Sequence, residues 1–210
     1  MTKLLYVTVN PKATEHSFSL QVGEAFLESY KVANPSAEVE VLDLYNETVQ
    51  EIDTDVLSAW GKFATGEELT EVEIAKVGTM TKHLEQYMEA DEYVFVTPMW
   101  NFSFPARLKM YIDSVLLAGK TFAYTAEGPK GLMEGKKALH IQATGGVYTG
   151  SGLNFGDDYL RQALAFTGVT DYDALFIEGM AMNPEKAEEI KEAAIAKAKE
   201  LGRSFSTVNA

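Results

Sequence analysis

Tyr93-Val94-Phe95-Val96-Thr97-Pro98-Met99-Trp100-Asn101-Phe102-Ser103-Phe104-Pro105 is the stretch around which the chain is organised. Its first four residues are an apolar run that reads as a buried strand, and the amphipathic segment after Pro105 reads as a helix. Thr97 to Pro105 is then the loop at the carboxyl end of that strand, the edge at which an open parallel α/β sheet binds ligands. Pro98 and Pro105 fix φ and restrict the residues before them, while Asn101 and the intervening peptide groups offer hydrogen-bonding atoms. Such a loop can hold a flat ring with polar edges. Aromatic, proline-punctuated loops also serve only to pack the top of a core, so the surrounding sequence has to decide.

The 210 residues, 46% of them hydrophobic, suffice for one large domain with a sizeable core. Acidic side chains outnumber basic ones 31 to 18, giving a net charge of -13. Nucleic acid and anionic membrane surfaces are therefore set aside as partners, because both are held by clustered Lys and Arg. There is no cysteine, which excludes thiol redox catalysis and thiolate metal sites and leaves any redox chemistry to a bound cofactor. No apolar run approaches the roughly 18 residues of a membrane span, and Met1 to Asn10 enters a strand too directly to be a signal peptide. The cytoplasm is the expected compartment.

Upstream of the loop, Lys3 to Val9 reads as a buried first strand. Asn10 to His16 is turn-like, and Ser17-Phe18-Ser19 opens a segment with Leu20, Val22, Ala25, Phe26 and Tyr30 at helical spacing. A strand, a polar loop and a helix N-terminus form an anion-binding arrangement, since the first amides lack intrahelical acceptors. Ser17 and Ser19 can add hydroxyls to it, or Ser17 can simply cap the helix. The glycine-rich signatures of Walker and dinucleotide sites are missing. Glu38 to Leu44 alternates as a more exposed second strand. Almost fifty residues separate it from Tyr93, and they hold two helical stretches, about Asp53 to Ala64 and Thr70 to Glu89. His83, on the second stretch, reads as a surface or packing residue.

Downstream, Arg107 to Leu117 reads as a helix, Thr121 to Leu132 as a hairpin excursion and Lys137 to Ala143 as a strand with His140 as a core histidine. Thr144-Gly145-Gly146-Val147-Tyr148 follows, where paired glycines permit φ > 0 and close backbone approach. Asp158 to Thr167 reads as a helix, Tyr172 to Glu178 as the fifth strand and Pro184 to Phe205 as the terminal helix. Five strands alternating with helices predict a doubly wound parallel sheet in one domain. In the order 2-1-3-4-5, the serine loop, the Met99 loop and the Gly145-Gly146 loop share one edge. The crevice between strands one and three is where this topology places FMN.

With these motifs assembled, the chain resembles the FMN-dependent NADH:azo-compound and quinone oxidoreductases, the bacterial azoreductase family of flavodoxin-like fold. The resemblance rests on Ser17-Phe18-Ser19, Pro98-Met99-Trp100-Asn101-Phe102, Thr121 to Thr125 with Gly128-Pro129 and Gly131-Leu132, and Ala143-Thr144-Gly145-Gly146. It covers essentially the whole chain. It implies a flavodoxin-like domain over residues 1–210, with a helical insertion at about 45–90 and a hairpin at about 121–132. FMN is expected at Ser17, Phe18 and Ser19 through its phosphate, and at Pro98, Met99, Trp100, Asn101, Phe102, Ala143, Thr144, Gly145, Gly146 and Tyr148 through its ring. Phe104, Phe122 and Tyr124 are expected to wall the substrate pocket. The implied reaction is ping-pong: NADH reduces the flavin, and a quinone or azo compound takes the two electrons, with no side chain needed as acid or base. Family members form homodimers with each flavin near the interface. The family often has arginine where this chain has Thr144, and commonly a basic residue where it has Ala123. A flavodoxin-type electron carrier is the alternative, which the insertion and the hairpin argue against.

Overall fold

The computed structural model describes residues 1–206. In chain order its elements are β1 (Lys3–Thr8), α1 (Phe18–Ala33), β2 (Glu38–Asp43), α2 (Thr54–Thr65), α3 (Glu71–Glu89), β3 (Glu92–Pro98), α4 (Ala106–Val115), β4 (Phe122–Thr125), β5 (Gly128–Gly131), β6 (Lys137–Ala143), α5 (Phe155–Thr167), β7 (Asp171–Ile177) and α6 (Ala187–Ser204). The five-stranded sheet is wholly parallel and runs β2-β1-β3-β6-β7, while β4 and β5 form a separate antiparallel hairpin. The expected order 2-1-3-4-5 is thus the observed one, with β6 and β7 as the fourth and fifth strands. The connections leaving β1 and β3 run in opposite directions, and this opens the crevice at their carboxyl ends.

Alternate residues of the central strands enter two cores. Leu4, Tyr6, Val94, Val96, Leu139 and Ile141 pack with α1 and α6 on one face. Leu5, Val7, Tyr93, Phe95 and Ala138 pack with α3, α4 and α5 on the other. Strands buried on both faces carry the near-continuous apolar runs that made them legible. A fully buried aliphatic or aromatic side chain stabilises the fold by about 1.5–3 kcal/mol. Gly202 brings α6 onto α1, since a Cβ there would lie 2.4 Å from the Phe26 carbonyl.

The insertion is two helices with strong local starts. Asp53 caps α2 by accepting from the amides of Asp55 and Val56, and Thr70 with Glu73 forms a reciprocal capping box on α3. The Lys62 ammonium, 2.8 Å from Glu73, holds that carboxyl down to about 2 and joins the two helices.

Most boundaries fall within a residue of the sequence reading, and the larger differences have local causes. α4 stops at Val115, because the Thr121 hydroxyl donates to the Val115 carbonyl at 2.7 Å and accepts from the Leu117 amide. α5 starts at Phe155, ahead of the Asp158 read from sequence, since the Asn154 side chain caps it by accepting from the Asp157 amide. The terminal helix starts at Ala187, after a 3-10 turn over Pro184–Lys186. His83 is fully buried, edge-on to Tyr111 with ring centroids 5.5 Å apart. Its packing role holds, but it is not a surface residue.

Candidate functional site

The loop after β3 is anchored at both ends. Thr97 is fully buried and its hydroxyl meets His140 Nε2 at 2.9 Å, while the Met99 amide donates to the Ala143 carbonyl at 2.8 Å. Between these anchors and Pro105, Trp100 and Ser103 exchange both backbone hydrogen bonds, at 2.7 and 3.0 Å. The two residues inside that pair, Asn101 and Phe102, have φ of 50° and 67°, the only positive values outside glycine among the described residues. This is the two-residue turn normally given to Asn-Gly. Asn tolerates it; phenylalanine does so at a cost of roughly 1–2 kcal/mol. Strain retained against that cost marks sites where geometry serves function. The turn is held from behind by α5, whose Gly156 amide donates to the Phe102 carbonyl at 3.2 Å.

A test of this strain is Phe102→Gly. Relief of the left-handed penalty exceeds glycine's extra chain entropy of roughly 0.5–1 kcal/mol, so the apoprotein should melt about 2 °C higher. Its affinity for FMN should fall about tenfold as the turn loosens. Thermal melts and a flavin-fluorescence titration check both, and a variant that melts several degrees lower removes the strain argument.

At the end of β1, Asn10 is buried and its side-chain amide donates to Ser17 Oγ at 2.8 Å, with Ser19 Oγ at 3.4 Å. Ser17 does cap α1, accepting from the Leu20 amide at 3.3 Å, and it lines a cavity as well. The amides of Phe18 and Ser19 find no acceptor among the described residues. They point the positive end of a 16-residue helix at that cavity.

At the end of β6, the Thr144 amide donates to Ile177 and its hydroxyl to the Gly146 carbonyl at 2.7 Å. The carbonyls of Gly145 and Gly146 accept from Ala181 and Gly179, while their own amides meet no acceptor among the described residues. Neither glycine takes positive φ, so the left-handed turn that their pairing allowed is not used. Both backbones are closely approached instead: a Cβ would lie 3.1 Å from the Ala181 side chain at Gly145 and 3.2 Å from the Tyr148 ring at Gly146, so a larger residue would press on those neighbours. Glu178 accepts from the amides of Tyr148 and Thr149 at 2.7 and 3.0 Å and fixes that loop.

Two adjoining cavities result. One, about 200 Å³, is lined by Ser17, Phe18, Ser19, Pro98, Met99, Trp100, Ala143, Thr144 and Gly145; the other, about 270 Å³, by Met99, Asn101, Phe102, Gly145, Gly146 and Tyr148. Every residue expected to touch the cofactor lines one or both. A third, of about 660 Å³, shares Trp100 and Asn101 with them and includes Phe104, whose ring lies 5.8 Å from that of Tyr159. Phe122 and Tyr124 line none of the three: Phe122 packs on Phe166 at 4.6 Å, and Tyr124 stands exposed on the hairpin.

Sequence reasoning missed Asn10, Lys12, His16 and Met180 on the first cavity, and Tyr45, Arg107, Phe155 and Tyr159 on the third. A polar residue directly after a buried strand was the available signal for Asn10. An aromatic pair four apart was the signal for Phe155 and Tyr159.

Beneath the loop lies a buried polar chain. Asp157 Oδ1 accepts from Tyr172 at 2.6 Å and faces His140 Nδ1 at 2.8 Å. Burial alone would raise the Asp157 carboxyl, but His140, Tyr172 and Arg161 together hold it below its ordinary value. An ionised carboxylate only accepts, so His140 Nδ1 donates, which leaves Nε2 to meet Thr97. His140 is a satisfied core residue that reaches the loop from behind.

The flavodoxin-like fold family model matches residues 2–201. A protein of an Exiguobacterium species named FMN-dependent NADH:quinone oxidoreductase is 62% identical over 206 residues, 98% of each chain. A Bacillus cereus protein named FMN-dependent NADH:quinone oxidoreductase 2 is 57% identical over 98% of this chain and 100% of its own. Among solved structures, an FMN-dependent NADH-azoreductase from Bacillus anthracis in complex with FMN superposes with a TM-score of 0.93 at 35% identity, covering 99% of this chain and 100% of that one. Likeness of this depth along nearly the whole length, on the strand order and sheet edge described above, means that the chain belongs to the FMN-dependent NADH:quinone oxidoreductases of flavodoxin-like fold.

Proposed function

We propose that this protein is an FMN-dependent oxidoreductase that takes hydride from NADH and reduces quinones and azo compounds by two-electron, ping-pong transfer. The observation that carries this reading is the meeting of the strained Asn101-Phe102 turn with two pairs of amides that lack acceptors, at Phe18-Ser19 and Gly145-Gly146, around adjoining cavities. Those groups fit the two polar ends of a flavin mononucleotide. The α1 amides, with Ser17 and Ser19, would hold a phosphate. The amides of Gly145 and Gly146 would meet the polar edge of the ring and stabilise negative charge there. Bound FMN supplies the redox chemistry between NADH and the acceptor. The chain's own part is to bind, orient and exclude water, with no side chain acting as an essential acid or base.

A single domain fits the two cores laid on one sheet. A homodimer is part of the reading, supported by the exposed Tyr124 of the hairpin and by exposed Leu57, Phe63, Val72 and Ile74 on α2 and α3. No described helix is long and apolar enough to cross a membrane. We place the protein in the cytoplasm, where NADH is regenerated.

The purified protein should be yellow, release FMN on denaturation, bleach anaerobically with NADH and regain colour with a simple quinone. A colourless protein that cannot be reconstituted with FMN sinks the proposal. A flavin that NADH does not reduce would fit an electron carrier instead.

A further inference from the structure

The cavity beside the proposed ring site carries two cations on its lining and no carboxylate, in a protein of net charge -13. Its walls are the rings of Tyr45, Trp100, Phe104, Phe155 and Tyr159, a surface suited to a flat aromatic ligand. The two cations differ. The Lys109 ammonium contacts both carboxylate oxygens of Asp113, at 2.5 and 2.6 Å, and is neutralised.

Arg107 is held by neutral groups. Its Nη1 donates to the carbonyls of Leu44 at 2.6 Å and Glu47 at 3.2 Å, and the guanidinium lies 5.0 Å over the Tyr45 ring. Carbonyls and a ring face fix its position and cancel none of its charge. The nearby Glu47 carboxylate is engaged by Lys82 at 2.9 Å. Arg107 Nη2 and Nε have no acceptor among the described residues. A guanidinium presents a rigid fork that matches a carboxylate or sulfonate, and here its free donors belong to a residue on the cavity wall. The protein's net charge repels anions, but beyond a Debye length of about 8 Å that field is screened at physiological salt. Inside the cavity the local cation decides.

We propose that Arg107 is a specificity-determining residue that binds the carboxylate or sulfonate of a flat aromatic acceptor, so that the enzyme prefers anionic quinones and azo compounds to uncharged ones. This rests on the reading of the chain as an FMN-dependent quinone and azo reductase.

The test uses holoenzyme with a naphthoquinone sulfonate and the unsubstituted naphthoquinone as acceptors, and equilibrium binding of the redox-inert naphthalenesulfonate. Arg107→Gln should raise KM for the sulfonated quinone about 10- to 100-fold, the effect of losing a charge-assisted pair. KM for the plain quinone should move about threefold or less, and the salt dependence of the sulfonate's KM should vanish. Arg107→Lys, which keeps the charge, should recover part of the preference. Because Arg107 also ties down Leu44 to Glu47, both variants weakening both quinones equally would show that it only holds that segment, overturning the proposal. A rise confined to KM for NADH would assign the anion to the donor's phosphates and overturn it as well. Naphthalenesulfonate binding that is lost in Arg107→Gln supports the inference independently of turnover. Failure of NADH to reduce the flavin would count against the enzyme reading alone.

Discussion

Asp157→Ala is expected to cost about 3–5 kcal/mol of folding stability, the usual penalty for breaking a buried charged network at one partner. The carboxylate side chain is 8% exposed and serves His140, Tyr172 and Arg161 at once. Its removal leaves the His140 ring, fully buried, without an acceptor for Nδ1, and leaves the Tyr172 hydroxyl unpaired. Asp157→Asn keeps an accepting oxygen and should cost less than half as much. Denaturant unfolding of the apoprotein checks the ranking, and equal stability of all three proteins would show that the network is not needed for folding. The pH dependence has a definite sign. The folded-state carboxyl lies below its ordinary value, so its contribution is complete above the unfolded carboxylate pKa of about 3.9. It is lost as pH falls through the folded value. The wild type and Asp157→Ala should therefore differ most near neutrality and converge in acid.

Gly156→Val carries the second large effect, this time on the site. A Cβ at position 156 would lie 3.0 Å from both Cα and the carbonyl carbon of Ser103 and 3.1 Å from the Phe104 nitrogen. These are backbone atoms of the turn-bearing loop and cannot swing aside. The branched side chain must push the loop off α5 and break the Gly156 to Phe102 hydrogen bond that holds the strained turn. The expected result is a loss of about 2–3 kcal/mol in stability and a fall of at least about 100-fold in FMN affinity, since a misplaced binding loop loses its preorganisation. Flavin-fluorescence titration measures the second quantity. Wild-type FMN affinity in this variant would show that the turn does not need α5 behind it.

Legibility followed burial and spacing. The strands at Lys3, Tyr93 and Lys137 could be placed within a residue or two because each is apolar on both faces. The end of α4 and the start of α5 were less well placed, because they are set by single contacts: the Thr121 hydroxyl on Val115 and the Asn154 cap ahead of Gly156. The ring-binding stretch stood out by its prolines and aromatics. The positive φ of Phe102 did not, since nothing in the residue's own preferences calls for it. Phe122 and Tyr124 were grouped with Phe104 through a family resemblance, and the hairpin carries them away from the three cavities.

By itself, the sequence determined the strands and helices of a doubly wound sheet and the loops that follow its strands, because hydrophobic period and chain punctuation are local properties that fix which face each residue can bury; the order 2-1-3-4-5 came from the rules of that fold class and was met by the sheet. Only the tertiary structure decided which polar groups are left without partners there, and which cation lines the neighbouring cavity. Gly145 and Gly146 look like a tight turn in sequence but take no positive φ and lie close against Ala181 and Tyr148. Arg107 looks like a surface helix residue but is turned onto Leu44 and Tyr45. Hydrogen-bond satisfaction and close approach depend on atoms distant in the chain, and no local pattern records them.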